Sequence, residues 1–154
     1  MNVEFINPFL QALLEVTKTM AQTELKPGKP RLKTNEVAQG DVSGLIGMVG
    51  PQTRGSLSVT FESRLALQLL YRMVGERRTE VDDQVSDMVG EITNMVSGSA
   101  KNALSDKGFE FEMATPVVVT GKRHTLNHRA TGPKIIMPFE SDFGAAYIEI
   151  CFDH

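Results

Sequence analysis

The sequence predicts an α+β protein: an antiparallel β-sheet with helices packed on one face. Three segments carry apolar residues at the spacing of amphipathic helices, and the remaining segments alternate apolar and polar residues as strands do. The predicted order is helix, strands, two helices and strands, without a low-complexity linker between them. The chain is therefore interpreted as one domain, residues 1–154, whose element order also permits two pseudo-symmetric halves.

The first helix is predicted to begin at Asn7, a good capping residue, with Pro8 in the first helical position. Apolar side chains then recur along one face: Phe9, Leu10, Leu13, Leu14 and Met20. Turn residues at 27–30 end this part of the chain, because proline and glycine favour turns over regular structure.

Two groups of strands are predicted. Residues 42–49 are apolar and rich in glycine, and residues 55–61 alternate Leu, Val and Phe with Ser and Thr, as a strand with one buried face does. Further strands are predicted over 117–120, 134–139 and 145–152, with a hairpin turn at 142–144. A meander of antiparallel strands is the simplest way to connect them.

Two consecutive helices lie between these groups of strands. Ser63 can cap the second helix, which continues to about Val74 and ends at Gly75. The third and longest helix begins near 82–83 and ends at Gly108. Its apolar face carries Val85, Met88, Val89, Ile92, Met95, Val96, Ala100 and Ala103.

Composition narrows the classes of function. The formal net charge of -3 argues against a nucleic-acid-binding surface, which usually needs a basic patch. A single cysteine, Cys151, excludes a disulfide within the chain and a zinc site built on cysteines, and it fits a reducing compartment. The amino terminus lacks the features of a secretory signal, and no apolar run is long enough to span a bilayer. These features predict a cytoplasmic protein.

Two sets of side chains, the histidines at 124 and 128 and the single cysteine, are further candidates for metal binding or catalysis. A small metal or acid–base enzyme that uses His124 and His128 is one alternative, because these residues have the spacing of metal ligands on a helix, but glycines bracket them in what is predicted to be a loop. No third ligand is evident in the sequence. Cys151 has no neighbouring histidine except the terminal His154, so a passive position in a strand is the preferred interpretation over a nucleophile.

The third helix presents an outward stripe formed by Asp87, Glu91, Asn94, Gly98 and Lys101, at alternating spacings of four and three residues. Within it, a carboxylate that can hold a cationic partner and a carboxamide that can hold a water lie side by side. Such a pair suits a protein that docks on another protein and directs a water there. A solvated helix face is the alternative interpretation.

Glycines inside this helix support an accessible face. Gly90 and Gly98 each cost about 1 kcal/mol relative to alanine, so a gain in packing or approach is expected in return. Close packing of the helix on the sheet explains Gly90 equally well. The small residues Thr93, Ser97 and Ser99 are predicted to leave the stripe flat and open to a partner.

The stripe resembles the signature of the CheC/CheX/FliY phosphatases of bacterial chemotaxis. The element Asp87-x-x-x-Glu91-x-x-Asn94 is followed further along by Pro116, as in that family. Four further segments are similar to CheX proteins in particular: 6–9 (Ile-Asn-Pro-Phe), 16–20 (Val-Thr-Lys-Thr-Met), 90–95 (Gly-Glu-Ile-Thr-Asn-Met) and 115–121 (Thr-Pro-Val-Val-Val-Thr-Gly).

This resemblance implies a phosphatase that removes the phosphoryl group from the aspartate of a CheY-type response regulator. It implies that Glu91 docks on an active-site lysine of the regulator and that Asn94 positions the hydrolytic water. Asp87, Gly98 and Lys101 are assigned to the docking surface. No cofactor of the protein's own is implied, and Mg²⁺ is expected on the phosphorylated regulator.

The resemblance further implies a homodimer built through the sheet. CheC-type members carry the Glu/Asn element twice, whereas here Glu15 of the first helix is followed by Lys18, where the second Asn would stand. One active face per subunit is therefore expected. A module that binds a response regulator or the flagellar switch without hydrolysis is the alternative function.

Overall fold

The computed structural model describes residues 3–128 and 130–153. In this part of the chain, three helices lie on one face of an antiparallel sheet of eight strands, which confirms the predicted fold class. The elements are α1 (Val3–Ala21), β1 (Lys26–Pro27), β2 (Arg31–Lys33), β3 (Val42–Val49), β4 (Arg54–Phe61), α2 (Ser63–Val74), α3 (Asp83–Ser105), β5 (Glu112–Met113), β6 (Val117–Thr120), β7 (Lys134–Ser141) and β8 (Gly144–Phe152).

The pairing of the strands relates two halves of the protein. The sheet has the order β1-β7-β8-β4-β3-β5, with β2 also on β7 and β6 also on β3. The short strands that follow α1 (β1 and β2) thus pair with the hairpin of β7 and β8. The short strands that follow α3 (β5 and β6) pair with the hairpin of β3 and β4. The pairings Lys26↔Glu140 and Glu112↔Val49 occupy equivalent places in the two halves. This exchange of edge strands confirms the pseudo-symmetric arrangement.

The hydrophobic core lies between the sheet and the helices. Strand β4 alternates as predicted, with Leu57, Val59 and Phe61 fully buried towards the helices. The opposite face of the sheet carries buried Ser and Thr side chains. Segments 34–41 and 121–128 lie over it, joined by backbone hydrogen bonds such as that from the Ala38 N–H to the His124 carbonyl oxygen.

The predicted start of α1 is wrong by one turn. The helix begins at Val3, and Pro8 lies inside it. Proline has no N–H to donate to the carbonyl oxygen four residues earlier, which is that of Glu4. Lys107 replaces this donor, because its Nζ lies 2.9 Å from the Glu4 carbonyl oxygen. Phe5 and Ile6 are buried in the core, so tertiary packing stabilises the additional turn.

The other helices have the predicted bounds to within a few residues. In α2, Gly75 adopts a φ of 76° and ends the helix, as expected of a glycine. The cap of α2 is Glu62 instead of Ser63, whose N–H is held by Asp41 Oδ2 at 2.8 Å. Helix α3 begins after Asp82, whose Oδ1 accepts the Val85 N–H at 3.0 Å.

Candidate functional site

Helix α3 carries the predicted stripe on its outward side. Asp87, Glu91 and Asn94 are exposed, and Gly98 and Lys101 are partly exposed. The opposite side of the helix packs on β3, β4 and α1. The structure therefore brings the five predicted residues together along one line, as the 3.6-residue period of a helix requires.

The side chains of Glu91 and Asn94 are free to bind a partner. Within the described residues, neither side chain makes a hydrogen bond or an ion pair. A carboxylate accepts hydrogen bonds from a cation, and a carboxamide both donates and accepts. Because both groups lie within one turn on an exposed face, they can contact one partner at the same time.

The two helix glycines have different roles. A Cβ added at Gly98 would meet no atom within 4 Å, so this glycine lowers the outward face of the helix. A Cβ added at Gly90 would lie 3.3 Å from Val118 Cγ2 in β6, so Gly90 permits close packing of α3 on the sheet. Of the two interpretations of Gly90, the structure supports packing.

The prediction that Thr93 and Ser97 contribute to the open face is wrong. Both residues are fully buried on the side of α3 that faces the sheet, and only Ser99 is exposed. Their hydroxyls are satisfied inside the helix: Thr93 Oγ1 donates to the Val89 carbonyl oxygen, and Ser97 Oγ contacts that of Thr93. Small polar residues can occupy either side of a helix in this way, so their size alone does not predict whether they face the sheet or the solvent.

Helix α1 borders the site, which the sequence did not indicate. The start of α1 lies near the end of α3, because Lys107 contacts the Glu4 carbonyl and Phe5 lies 5.4 Å from Phe109 between ring centroids. A groove between the two helices is lined in part by Gln11, Glu15, Ser99 and Ala103. Glu15 and Lys18 are both exposed. The packing partner of a helix depends on tertiary structure, so no local pattern could have revealed this border.

The alternative site at His124 and His128 is not assembled. His124 Nε2 lies 2.6 Å from Ser43 Oγ in β3, whereas His128 Nδ1 lies 2.6 Å from Ser56 Oγ in β4. In the described part of the chain, no group of three or more His, Cys, Asp or Glu side chains is placed to hold a metal ion. Through these contacts with serine side chains, the two histidines instead hold the segment at 121–128 against the sheet.

His128 lies beside a buried ion pair on that face. Lys33 Nζ lies 2.6 Å from Glu149 Oε2, and His128 Nε2 lies 3.4 Å from Glu149 Oε1. Burial raises the pKa of Glu149, but the contacts with His128 and Lys33 outweigh it, so the pKa lies below its ordinary value. This pairing explains how a carboxylate without solvent contact can remain charged.

Cys151 lies in β8 and is buried. Burial raises the pKa of its thiol, which leaves it protonated and poorly nucleophilic. Its Sγ contacts the Gly132 carbonyl oxygen at 3.3 Å. These properties support a structural role.

None of the helices over 3–128 and 130–153 is both long and apolar enough to span a membrane.

Known proteins resemble this chain over most of its length. The family model for chemotaxis phosphatase CheX matches residues 42–140, which is more than half of the chain. A CheC-like superfamily protein from Shewanella sp. PV-4 is 65% identical, with 100% of both chains covered and a TM-score of 0.94.

Two more distant relatives are also similar to this chain over most of their length. A CheY-P phosphatase CheX from Thermotoga maritima is 26% identical over 123 residues, which are 79% of each chain. The structure of the CheX–CheY–BeF3–Mg²⁺ complex from Borrelia burgdorferi matches at 26% identity, with a TM-score of 0.82 and coverage of 99% of this chain and 100% of that one. The extent of the family match decides the assignment: the chain belongs to the chemotaxis phosphatase CheX family.

Proposed function

We propose that this protein is a phosphatase that removes the phosphoryl group from the aspartate of a CheY-type response regulator. The observation that carries the proposal is the pair Glu91 and Asn94, exposed on one turn of α3 and without partners among the described residues. Membership of the CheX family supports it, as does a relative named CheY-P phosphatase CheX. The cytoplasm, where response regulators operate, is the proposed location.

Asn94 is the proposed catalytic residue. In phosphoryl transfer, catalysis comes mainly from positioning and electrostatic stabilisation, and in GTPases a glutamine orients the attacking water. The Asn94 carboxamide can hold a water in line with the phosphorus–oxygen bond of the acyl phosphate. Water attacks phosphorus, the aspartate carboxylate leaves, and inorganic phosphate is released. A neutral amide adds no repulsion to the phosphoryl oxygens.

Glu91 is the proposed docking residue. Its carboxylate would pair with the active-site lysine of the regulator and so align the two proteins. Asp87, Gly98 and Lys101 extend this docking surface along α3, and Gly98 leaves room for the partner's backbone. The phosphatase needs no cofactor of its own in this mechanism. The regulator is proposed to hold the Mg²⁺, and the complex of CheX and CheY from Borrelia burgdorferi contains Mg²⁺ together with BeF3.

Glu91→Ala is expected to weaken docking, because the regulator's lysine loses its charged partner. The apparent Kd for the regulator should rise about 10- to 150-fold, which corresponds to the roughly 1.5–3 kcal/mol typical of hydrogen bonds to charged groups. Calorimetric titration with regulator activated by beryllofluoride measures this constant. Glu80→Ala, which removes an exposed carboxylate from the α2–α3 connection, is the matched control and should bind as the wild type does. Normal docking by Glu91→Ala would contradict the assigned role.

A second function for this surface is a binding module that docks on a response regulator or on the flagellar switch without hydrolysis. The same exposed stripe would serve it. The decay of phosphorylated regulator distinguishes the two: a module leaves the rate unchanged at saturating protein, whereas a phosphatase accelerates it.

A homodimer built through the sheet is the proposed assembly. At the edge of the sheet formed by β5 and β6, Val117 of β6 is 60% exposed, and so is Val49 at the end of the neighbouring β3. A second copy that covered this edge would bury both of them and satisfy its free backbone groups. Light scattering should therefore give twice the chain mass, and Val117→Asp should lower that mass to the monomer value. A monomeric wild type at micromolar concentration would contradict the proposal.

A further inference from the structure

Helix α3 lies close to the sheet at two contacts, made by Gly90 and Thr93, which are on either side of Glu91 in the sequence. Thr93 faces Gly44 of β3, where an added Cβ would be 1.9 Å from Thr93 Oγ1 and 2.8 Å from Thr93 Cβ. At the other contact, Gly90 faces Val118 at 3.3 Å, measured from an added Cβ to Cγ2. Each contact joins a glycine to a β-branched residue, but the glycine is on the strand in one and on the helix in the other.

The strand register shows why these contacts are complementary. Gly44 is directly opposite Val118 of β6 on one side and Val59 of β4 on the other. The surface beneath α3 therefore has a low point at Gly44 with a valine on each side. The fully buried Thr93 enters this low point, while Gly90 leaves room for Val118. A rotation or translation of the helix would bring Thr93 against a valine.

The side chain of Thr93 has little freedom to relieve a change at this contact. Its Oγ1 donates to the Val89 carbonyl oxygen at 2.7 Å, which fixes the rotamer. Behind it, Ser97 Oγ lies 3.0 Å from the carbonyl oxygens of both Thr93 and Asn94. The backbone that carries Asn94 is thus tied to the residue that sets the contact with the sheet.

We propose that Gly44 and Thr93, together with Gly90 and Val118, are positioning residues that set the rotation and height of α3 and thereby the location of the Asn94 carboxamide. This inference rests on the proposed phosphatase function. A misplacement of about 1 Å can cost 100-fold in rate when catalysis depends on alignment. An alanine at Gly44 would demand a displacement of that order, because a Cβ does not approach other atoms as closely as 1.9 Å.

The kinetics of four variants test this proposal. Gly44→Ala should lower kcat for dephosphorylation about tenfold or more while KM for the phosphorylated regulator changes little, because docking through long side chains tolerates a small shift. Gly44→Ala/Thr93→Gly removes the opposing side chain and should recover most of the lost kcat. Thr93→Gly alone completes the double-mutant cycle for this contact. Gly47→Ala is the matched control on the same strand, since its Cβ would meet only Ala114 Cβ, at 3.9 Å.

Crystal structures of the variants give a readout that does not depend on activity. Helix α3 should move away from β3 in Gly44→Ala and return in the double variant. If Gly44→Ala does not fold, Gly90→Ala should lower kcat and Gly90→Ala/Val118→Ala should restore it. A folded Gly44→Ala with wild-type kcat, a double variant no faster than the single one, or an unmoved α3 would each overturn the inference. A wild type that fails to accelerate decay would instead reject the proposed function.

Discussion

Asn94→Ala is expected to abolish the stimulated dephosphorylation of the response regulator, with a loss in kcat of about 100-fold or more. Removal of one positioned hydrogen-bonding group from a transition state typically costs this much. Stability should be unaffected, because the Asn94 side chain is exposed and alanine is the better helix former. The measurement is single-turnover decay of regulator phosphorylated with a small-molecule phosphodonor and repurified, at saturating variant.

The controls separate catalysis from docking. Asn102→Ala, which removes another exposed carboxamide two turns further along α3, should retain most of the activity. The affinity of Asn94→Ala for regulator activated by beryllofluoride should remain close to that of the wild type, since Glu91 is intact. Full activity in Asn94→Ala would contradict the proposed mechanism, whatever the affinity.

Glu149→Gln is expected to lower the free energy of unfolding by about 3–5 kcal/mol, the typical cost of leaving one member of a buried ion pair without its partner. The side chains of Lys33 and Glu149 are only 3% and 0% exposed, so water cannot solvate the remaining ammonium. Urea unfolding, followed by circular dichroism, measures this change.

Two comparisons test the explanation for this loss. Lys33→Met/Glu149→Leu removes both charges and should be clearly more stable than Glu149→Gln, because no buried charge is left unpaired. Arg54→Ala breaks the exposed pair with Asp153 and should cost only about 0–1 kcal/mol, because solvent screens such pairs. Equal losses in the buried and the exposed pair would show that burial does not set the effect.

Most of the fold was predictable because its signals are local. The alternation of apolar and polar residues over 55–61 and the helical period of α3 each depend on a few neighbouring residues. The error at Pro8 has a tertiary cause: the donor that replaces its missing N–H is Lys107, far away in sequence. The buried pair of Lys33 and Glu149 was not predictable for the same reason, because β7 lies between their two strands.

The candidate site was predictable in part. Helical spacing alone placed Glu91 and Asn94 on one outward line, and the structure has them there. Their proposed roles came from the family resemblance, since a carboxylate and a carboxamide on a helix have many uses. The contact between Gly44 and Thr93 could not be predicted, because it depends on the register of β3 beneath α3. The side of α3 occupied by Ser97 was misjudged, since a small hydroxyl can be buried when it donates to its own helix.

The central claim is that this protein catalyses hydrolysis of an aspartyl phosphate on a CheY-type response regulator. The most direct measurement is the rate of release of inorganic phosphate from purified phosphorylated regulator in Mg²⁺, with the protein at about one-fiftieth of the regulator concentration, so that only repeated turnover can accelerate the release of all the phosphate. Each protein molecule should dephosphorylate many regulators, and the phosphorylated regulator should decay much faster than it does by itself. Decay at the regulator's own rate, at every protein concentration up to saturation, would contradict it.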